Sequence, residues 1–112
     1  MPLLPHISQD LPEIALWRRE LHAMPEILYE VHDTAAFVAE KLRAFGCEEV
    51  VTGIGRTGVV GVLEGRGKGR TIALRADMDA LPIPEETGVA HASRRPGAMH
   101  ACGHDGHMAM LL

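Results

Sequence analysis

The stretch TGIGRTGVVGVLEG, residues 52–65, decides how the chain folds. Gly53, Gly55 and Gly58 spell G-x-G-x-x-G, the spacing of a dinucleotide-binding loop. Such a loop opens a helix and is followed by an acid about 20 residues on. Here the glycines run instead into Val59, Val60 and Val62, a β-branched series that continues as a strand. The dinucleotide reading is rejected, and the glycines are turn punctuation. CEEVVTGIG (47–55) and TGVVGVLEG (57–65) both read as strands, RGKG (66–69) as a turn, and RTIALRA (70–76) as the next strand. Strands joined by so short a link form an antiparallel hairpin.

Upstream the pattern is helical. DLPEIALWRRELHAM (10–24) places Ile14, Trp17, Leu21 and Met24 at three- and four-residue steps, with Asp10 as cap, Pro12 in the first turn and Pro25 as the stop. After the loop PEILYEVH, a second helix runs from about Asp33, its cap, to Phe45. It buries Phe37, Val38, Leu42 and Phe45, and Gly46 is its left-handed stop. Downstream, 77–88 is a proline-rich loop and SRRPGAM (93–99) another. A third helix begins near Gly103 and runs into Met108, Met110, Leu111 and Leu112 without cap, glycine or basic last turn. The chain reads as α/β, truncated inside that helix, with residues 1–112 forming one incomplete domain.

Composition narrows the classes. With 112 residues and 46% hydrophobic content, the chain can bury a small core, which at 4% aromatics must be aliphatic. A formal charge of -4 with mixed signs argues against nucleic acid or a membrane surface as partner. No apolar run approaches the roughly 18 residues of a membrane span. The start, MPLLPHISQDLPE, has no secretory leader pattern. Cys47 and Cys102 are too few for a disulfide framework, so a cytoplasmic location is expected.

Three segments carry chemistry. In HACGH (100–104), Cys102 and His104 are a thiolate and an imidazole two residues apart, natural ligands for zinc and, in mixed sites, manganese, cobalt or nickel. In an extended stretch both would point the same way. Metal ligation and an inert surface cluster stand level on spacing alone. His100 and His107 read as structural or supporting, and Asp105 could orient a histidine. In RADMDALP (75–82), Asp77 and Asp79 follow the end of a strand, where sites gather, and Arg75 would pair with one of them. In WRRELHAMPE (17–26), Arg18, Arg19 and His22 read first as a solvated helix face. Glu85 and Glu86 are an acidic loop pair with no role assigned, and Cys47 has no evident thiol partner.

WRRELHAMPE, GIGRTGVVGVLEG, IALRADMDALPI and MHACGHDGHMAMLL, in this order, resemble the N-terminal part of a bacterial amidohydrolase family. That family holds hippurate hydrolase, N-acyl-L-amino-acid amidohydrolases and auxin-conjugate hydrolases. It is a branch of the dinuclear metallopeptidases that include carboxypeptidase G and aminoacylase. The resemblance implies a zinc-peptidase-like catalytic domain, to which this chain gives two helices, a β-hairpin, a further strand and the start of a third helix. It also implies an inserted smaller domain that makes a homo-oligomer.

The same resemblance assigns Cys102 and His104 as ligands of two divalent metal ions, and gives Asp79 a catalytic, site-orienting role in preference to Asp77. The implied reaction is metal-assisted hydrolysis of the amide bond of N-acyl amino acids, with a glutamate as general base. That glutamate and the remaining ligands lie downstream in the family pattern. The 112 residues alone are therefore expected to be inactive and to bind metal weakly. The competing reading is a non-catalytic metal-binding or interaction module derived from the same fold.

Overall fold

A computed structural model describes residues 4–112, and residues 1–3, part of the stretch read for a leader, lie outside it. Its elements in chain order are α1 (Pro5–Ala23), α2 (His32–Ala44), β1 (Glu49–Ile54), β2 (Gly58–Val62) and α3 (His104–Leu111). α1 packs on α3, and α2 packs on both strands.

Both early helices form where the apolar spacing puts them. α1 starts five residues before the expected cap: Pro5 supplies the first turn, so Asp10 lies inside the helix and caps nothing. Pro12 is also internal. The helix ends at Ala23, just before Pro25. Trp17 and Leu21 are buried, and Trp17 meets Phe45 with ring centroids 5.3 Å apart.

α2 is not capped by Asp33. Its first amides are taken by Glu26, whose Oε1 accepts the Thr34 N–H at 2.7 Å and the Thr34 hydroxyl at 2.7 Å, while Oε2 accepts the Asp33 N–H at 3.2 Å. Arg95 Nη1 closes on the same carboxylate at 3.1 Å. Glu26 is buried, and burial alone would raise its pKa; the bonds to Thr34, Asp33 and Arg95 outweigh that and hold it below the usual value. α2's buried face centres on Thr34, Ala35 and Ala39, and Phe45 stays exposed. Gly46 ends the helix as expected, with φ +85°, its N–H bonding Arg43 O and the Cys47 N–H reaching back to Leu42 O.

The hairpin forms one turn earlier than the RGKG link suggested. β1 and β2 pair antiparallel, Glu49 opposite Val62 and Ile54 opposite Gly58, with an irregularity between Thr52 and Ile54. Residues 55–57 make the turn. Gly58 is obligatory there, because a Cβ would stand 2.6 Å from the Ile54 carbonyl oxygen. The glycines are therefore turn punctuation, as read.

The further strand expected over 70–76 does not form. A strand exists only where a neighbour completes its backbone ladder, and no described segment does so; Ile72 and Leu74 remain 83% and 75% exposed.

Two short pairings position the site. Ala80 bridges in parallel to Ile27, and its N–H bonds the Glu26 carbonyl at 2.6 Å. Leu81 and Met99 exchange two backbone bonds of 2.9 and 3.0 Å. The 79–81 segment thus lies between the end of α1 and the approach to α3.

Candidate metal centre

The Cys102–His104 motif does not sit in an extended stretch. Gly103 takes φ +106°, a left-handed conformation that a side chain would oppose, and it is the N-terminal cap residue of α3. Its carbonyl accepts the His107 N–H at 3.0 Å. Alternation therefore does not aim Cys102 and His104: the turn at Gly103 sets their relation, and His104 opens the helix while Cys102 precedes it, exposed.

Asp79 reaches His104. The His104 Nδ1 lies 2.9 Å from the Asp79 carbonyl oxygen and 3.1 Å from its Oδ1. Two acceptors on Nδ1 fix the ring as the Nδ1–H tautomer. Nε2, which has no protein hydrogen bond among the described residues, then presents a lone pair. A carboxylate behind one imidazole nitrogen, with the other nitrogen free, is the arrangement that supports a ligating histidine in metal sites. Asp77, by contrast, pairs with Arg75 at 2.8 Å, the salt bridge expected for one of the two acids. That hydrogen bond first, and the guanidinium charge second, hold its carboxyl below the usual range.

Among the described residues, no three His, Cys, Asp or Glu side chains converge closely enough to hold a metal ion. Cys102, His104 and Asp79 are thus at most part of a coordination shell. His100 is buried, and neither ring nitrogen finds a protein partner. Burial lowers its pKa, so a neutral ring with unused donor and acceptor capacity stands beside the motif. His107 is exposed, its ring centroid 5.8 Å from that of His104.

The residues whose weight the sequence concealed are Arg18, His22 and Glu85. Far from a solvated face, His22 is buried, with Nδ1 2.7 Å from Asp105 Oδ2 and Nε2 3.0 Å from Glu85 Oε1. Arg18 Nε joins Asp105 Oδ2 at 2.8 Å. Burial pushes Asp105 up, but the His22 bond, the Gly106 N–H and the Arg18 charge prevail, and its carboxyl sits below the usual range. Glu85 accepts the Thr87 hydroxyl at 2.5 Å and the Ser93 N–H at 2.6 Å. The only trace of this in the sequence is the four-residue step from Arg18 to His22 beside buried Leu21.

Thr87 first and Ser93 second lower the Glu85 pKa from 4.5 to about 2, against desolvation. A carboxyl depressed in the folded state contributes its full stability above its unfolded pKa and loses it as pH falls through the folded value. The melting temperature of the protein is expected to decline from about pH 4.5 towards pH 2. Glu85→Gln should make that acid limb shallower. An unchanged limb in the variant would show that Glu85 is not a source of the acid sensitivity.

Comparison with known proteins bears out the resemblance drawn from the motifs. Residues 73–112 match peptidase family M20/M25/M40. The chain is 52% identical, over 95% of its length, to an N-acyl-L-amino acid amidohydrolase of Geobacillus stearothermophilus, of which it covers 28%. It is 46% identical, over its whole length, to hippurate hydrolase of Campylobacter jejuni, covering 29% of that protein. A solved structure from Bacillus subtilis, described as a dinuclear metal-binding peptidase of the M20 family, superposes with a TM-score of 0.84 at 38% identity, over 91% of this chain and 28% of that one. The chain thus spans under a third of the length of these relatives. In sequence and in its α/β fold it is similar to the corresponding part of these relatives.

Proposed function

We infer that this chain is the N-terminal part of an M20-family catalytic domain, and that the protein carrying it hydrolyses the amide bond of N-acyl amino acids with two divalent metal ions. The observation that carries the reading is the hold of Asp79 on His104 Nδ1, which leaves Nε2 free of protein partners in a motif that also carries the exposed Cys102 thiol. The similarity to an N-acyl-amino-acid amidohydrolase, a hippurate hydrolase and a dinuclear metal-binding peptidase supports the substrate class and the metal count.

In this reading Cys102 and His104 are metal ligands and Asp79 orients His104. Divalent ions, when bound, would polarise the scissile carbonyl and acidify an attacking water. The chain's own contribution is to hold a thiolate and one lone pair in place, because a coordination shell must be fixed before it can stabilise developing charge. The general base and the remaining ligands would come from outside these 112 residues, so the segment alone would be inactive. A cytoplasmic location suits the free thiols of Cys47 and Cys102. No helix among the described residues is long and apolar enough to cross a membrane. A homo-oligomer would assemble through parts outside this chain.

That no three ligands converge among the described residues equally suits a non-catalytic derivative of the fold. The separating experiment loads the intact protein in turn with manganese, zinc, cobalt and nickel and offers N-benzoylglycine and N-acetyl amino acids. Release of the free amino acid, abolished by chelator and restored by metal, is the expected result. Bound metal without hydrolysis of any of these substrates would overturn the enzymatic reading and favour the module.

A further inference from the structure

We propose that His22, with Arg18 and Glu85, is a positioning residue of the metal centre: a buried clamp that fixes the first turn of α3 and, through it, His104. The proposal rests on the reading of His104 as a ligand and extends it to a group on a different helix. His22 comes from α1, Asp105 from the first turn of α3, and Glu85 from the 77–88 loop. Asp105 directly follows His104, so whatever locates the Asp105 carboxylate also locates the His104 backbone.

The clamp is buried around His22 and Asp105, while the Arg18 side chain stays 40% exposed. His22 and Asp105 are 4% and 1% exposed, and the Glu85 side chain is equally shielded. Asp105 Oδ2 receives Arg18 Nε at 2.8 Å and His22 Nδ1 at 2.7 Å. The Arg18 Nη2 contact to His22 Nδ1, at 3.3 Å, is the longer and yields to Asp105. Arg18 Nη1 also reaches His91 Nε2 at 3.2 Å. Glu85 is in turn tied to Thr87 and to the Ser93 backbone, so the far side of His22 is anchored as well. Buried carboxylates persist only when paired and hydrogen-bonded, and those of Asp105 and Glu85 both are.

Two restraints therefore act on different parts of His104. Asp79 holds its ring at Nδ1, and the clamp holds its main chain. Groups that orient a metal ligand without touching the metal typically carry tenfold to hundredfold in affinity or activity. The clamp predicts that magnitude for residues never in contact with substrate.

The test uses the intact cobalt-loaded protein and the variants His22→Gln, Asp105→Asn, their double variant, and Glu85→Gln as a milder change that keeps the side chain's size and one of its two acceptor oxygens. Cobalt affinity by chelator competition, the cobalt d–d spectrum, kcat and KM are read on each. The expected result is about a tenfold to hundredfold loss of cobalt affinity for His22→Gln. With it should come a shifted d–d band, a lower kcat at nearly unchanged KM, and a double variant little worse than either single one. Glu85→Gln should shift in the same direction by less, and it keeps the test decisive if His22→Gln does not fold. Unchanged affinity and spectrum in folded variants, with only the melting temperature lowered, would overturn the clamp and leave the metal reading standing. Wild-type protein that binds no cobalt would overturn both.

Discussion

Cys102→Ala in the intact protein is expected to remove amide hydrolysis, a loss of about a thousandfold or more, equivalent to roughly 4 kcal/mol of transition-state stabilisation. The fold should be unaffected. Cys102 is exposed, so its truncation opens no cavity and strands no buried partner. What is lost is the one sulfur among the candidate ligands of the segment: the other candidate is the His104 imidazole, and an alanine offers no donor at all. Three measurements define the outcome: turnover of N-benzoylglycine, bound metal per chain, and the thiolate-to-cobalt charge-transfer absorption, which only a cysteine ligand produces. Turnover and metal content both retained in Cys102→Ala would take this residue out of the coordination shell.

Asp79→Asn should lower kcat by about tenfold to hundredfold with little change in KM. The carboxylate oxygen at 3.1 Å from His104 Nδ1 helps fix the tautomer and the orientation of the ring. An asparagine can present either its oxygen or its amino group to the ring, so it keeps the size and gives up the charge. The Asp79 carbonyl at 2.9 Å survives every substitution at this position and continues to hold the ring in plane, which bounds the loss from above. Nitrogen chemical shifts of His104 report the tautomer directly, independent of turnover. A kcat within about threefold of wild type, with unchanged shifts, would leave Asp79 a bystander.

Much of the architecture was legible because it rests on local rules. Trp17 and Leu21 recur at helical spacing and are buried, Gly46 stops α2, and the valines after Gly58 make a strand rather than a helix. The differences arise where the deciding partner lies outside the local pattern that was read. Asp33 looked like the cap of α2, but buried Glu26 takes those amides with both oxygens and the help of Arg95. RTIALRA has the composition of a strand, yet composition cannot supply the neighbour that a ladder requires. The site divides in the same way. Cys102, His104 and Asp79 stand out through the motifs of the resemblance, since spacing alone left metal ligation level with an inert cluster. His22 and Glu85 do not, because their meaning lies in a pairing across 63 residues that no local window contains.

Glu26 sets an order on folding. Its carboxylate closes the start of α2, while its main-chain carbonyl receives Ala80 from the far side of the hairpin. The first contact spans eight residues, and its loop closes at little entropic cost. The second must draw in a segment from beyond both strands. The start of α2, closed by Glu26, is therefore expected to form before the 79–81 segment docks beside it, and the Asp79–His104 contact is expected to follow that docking.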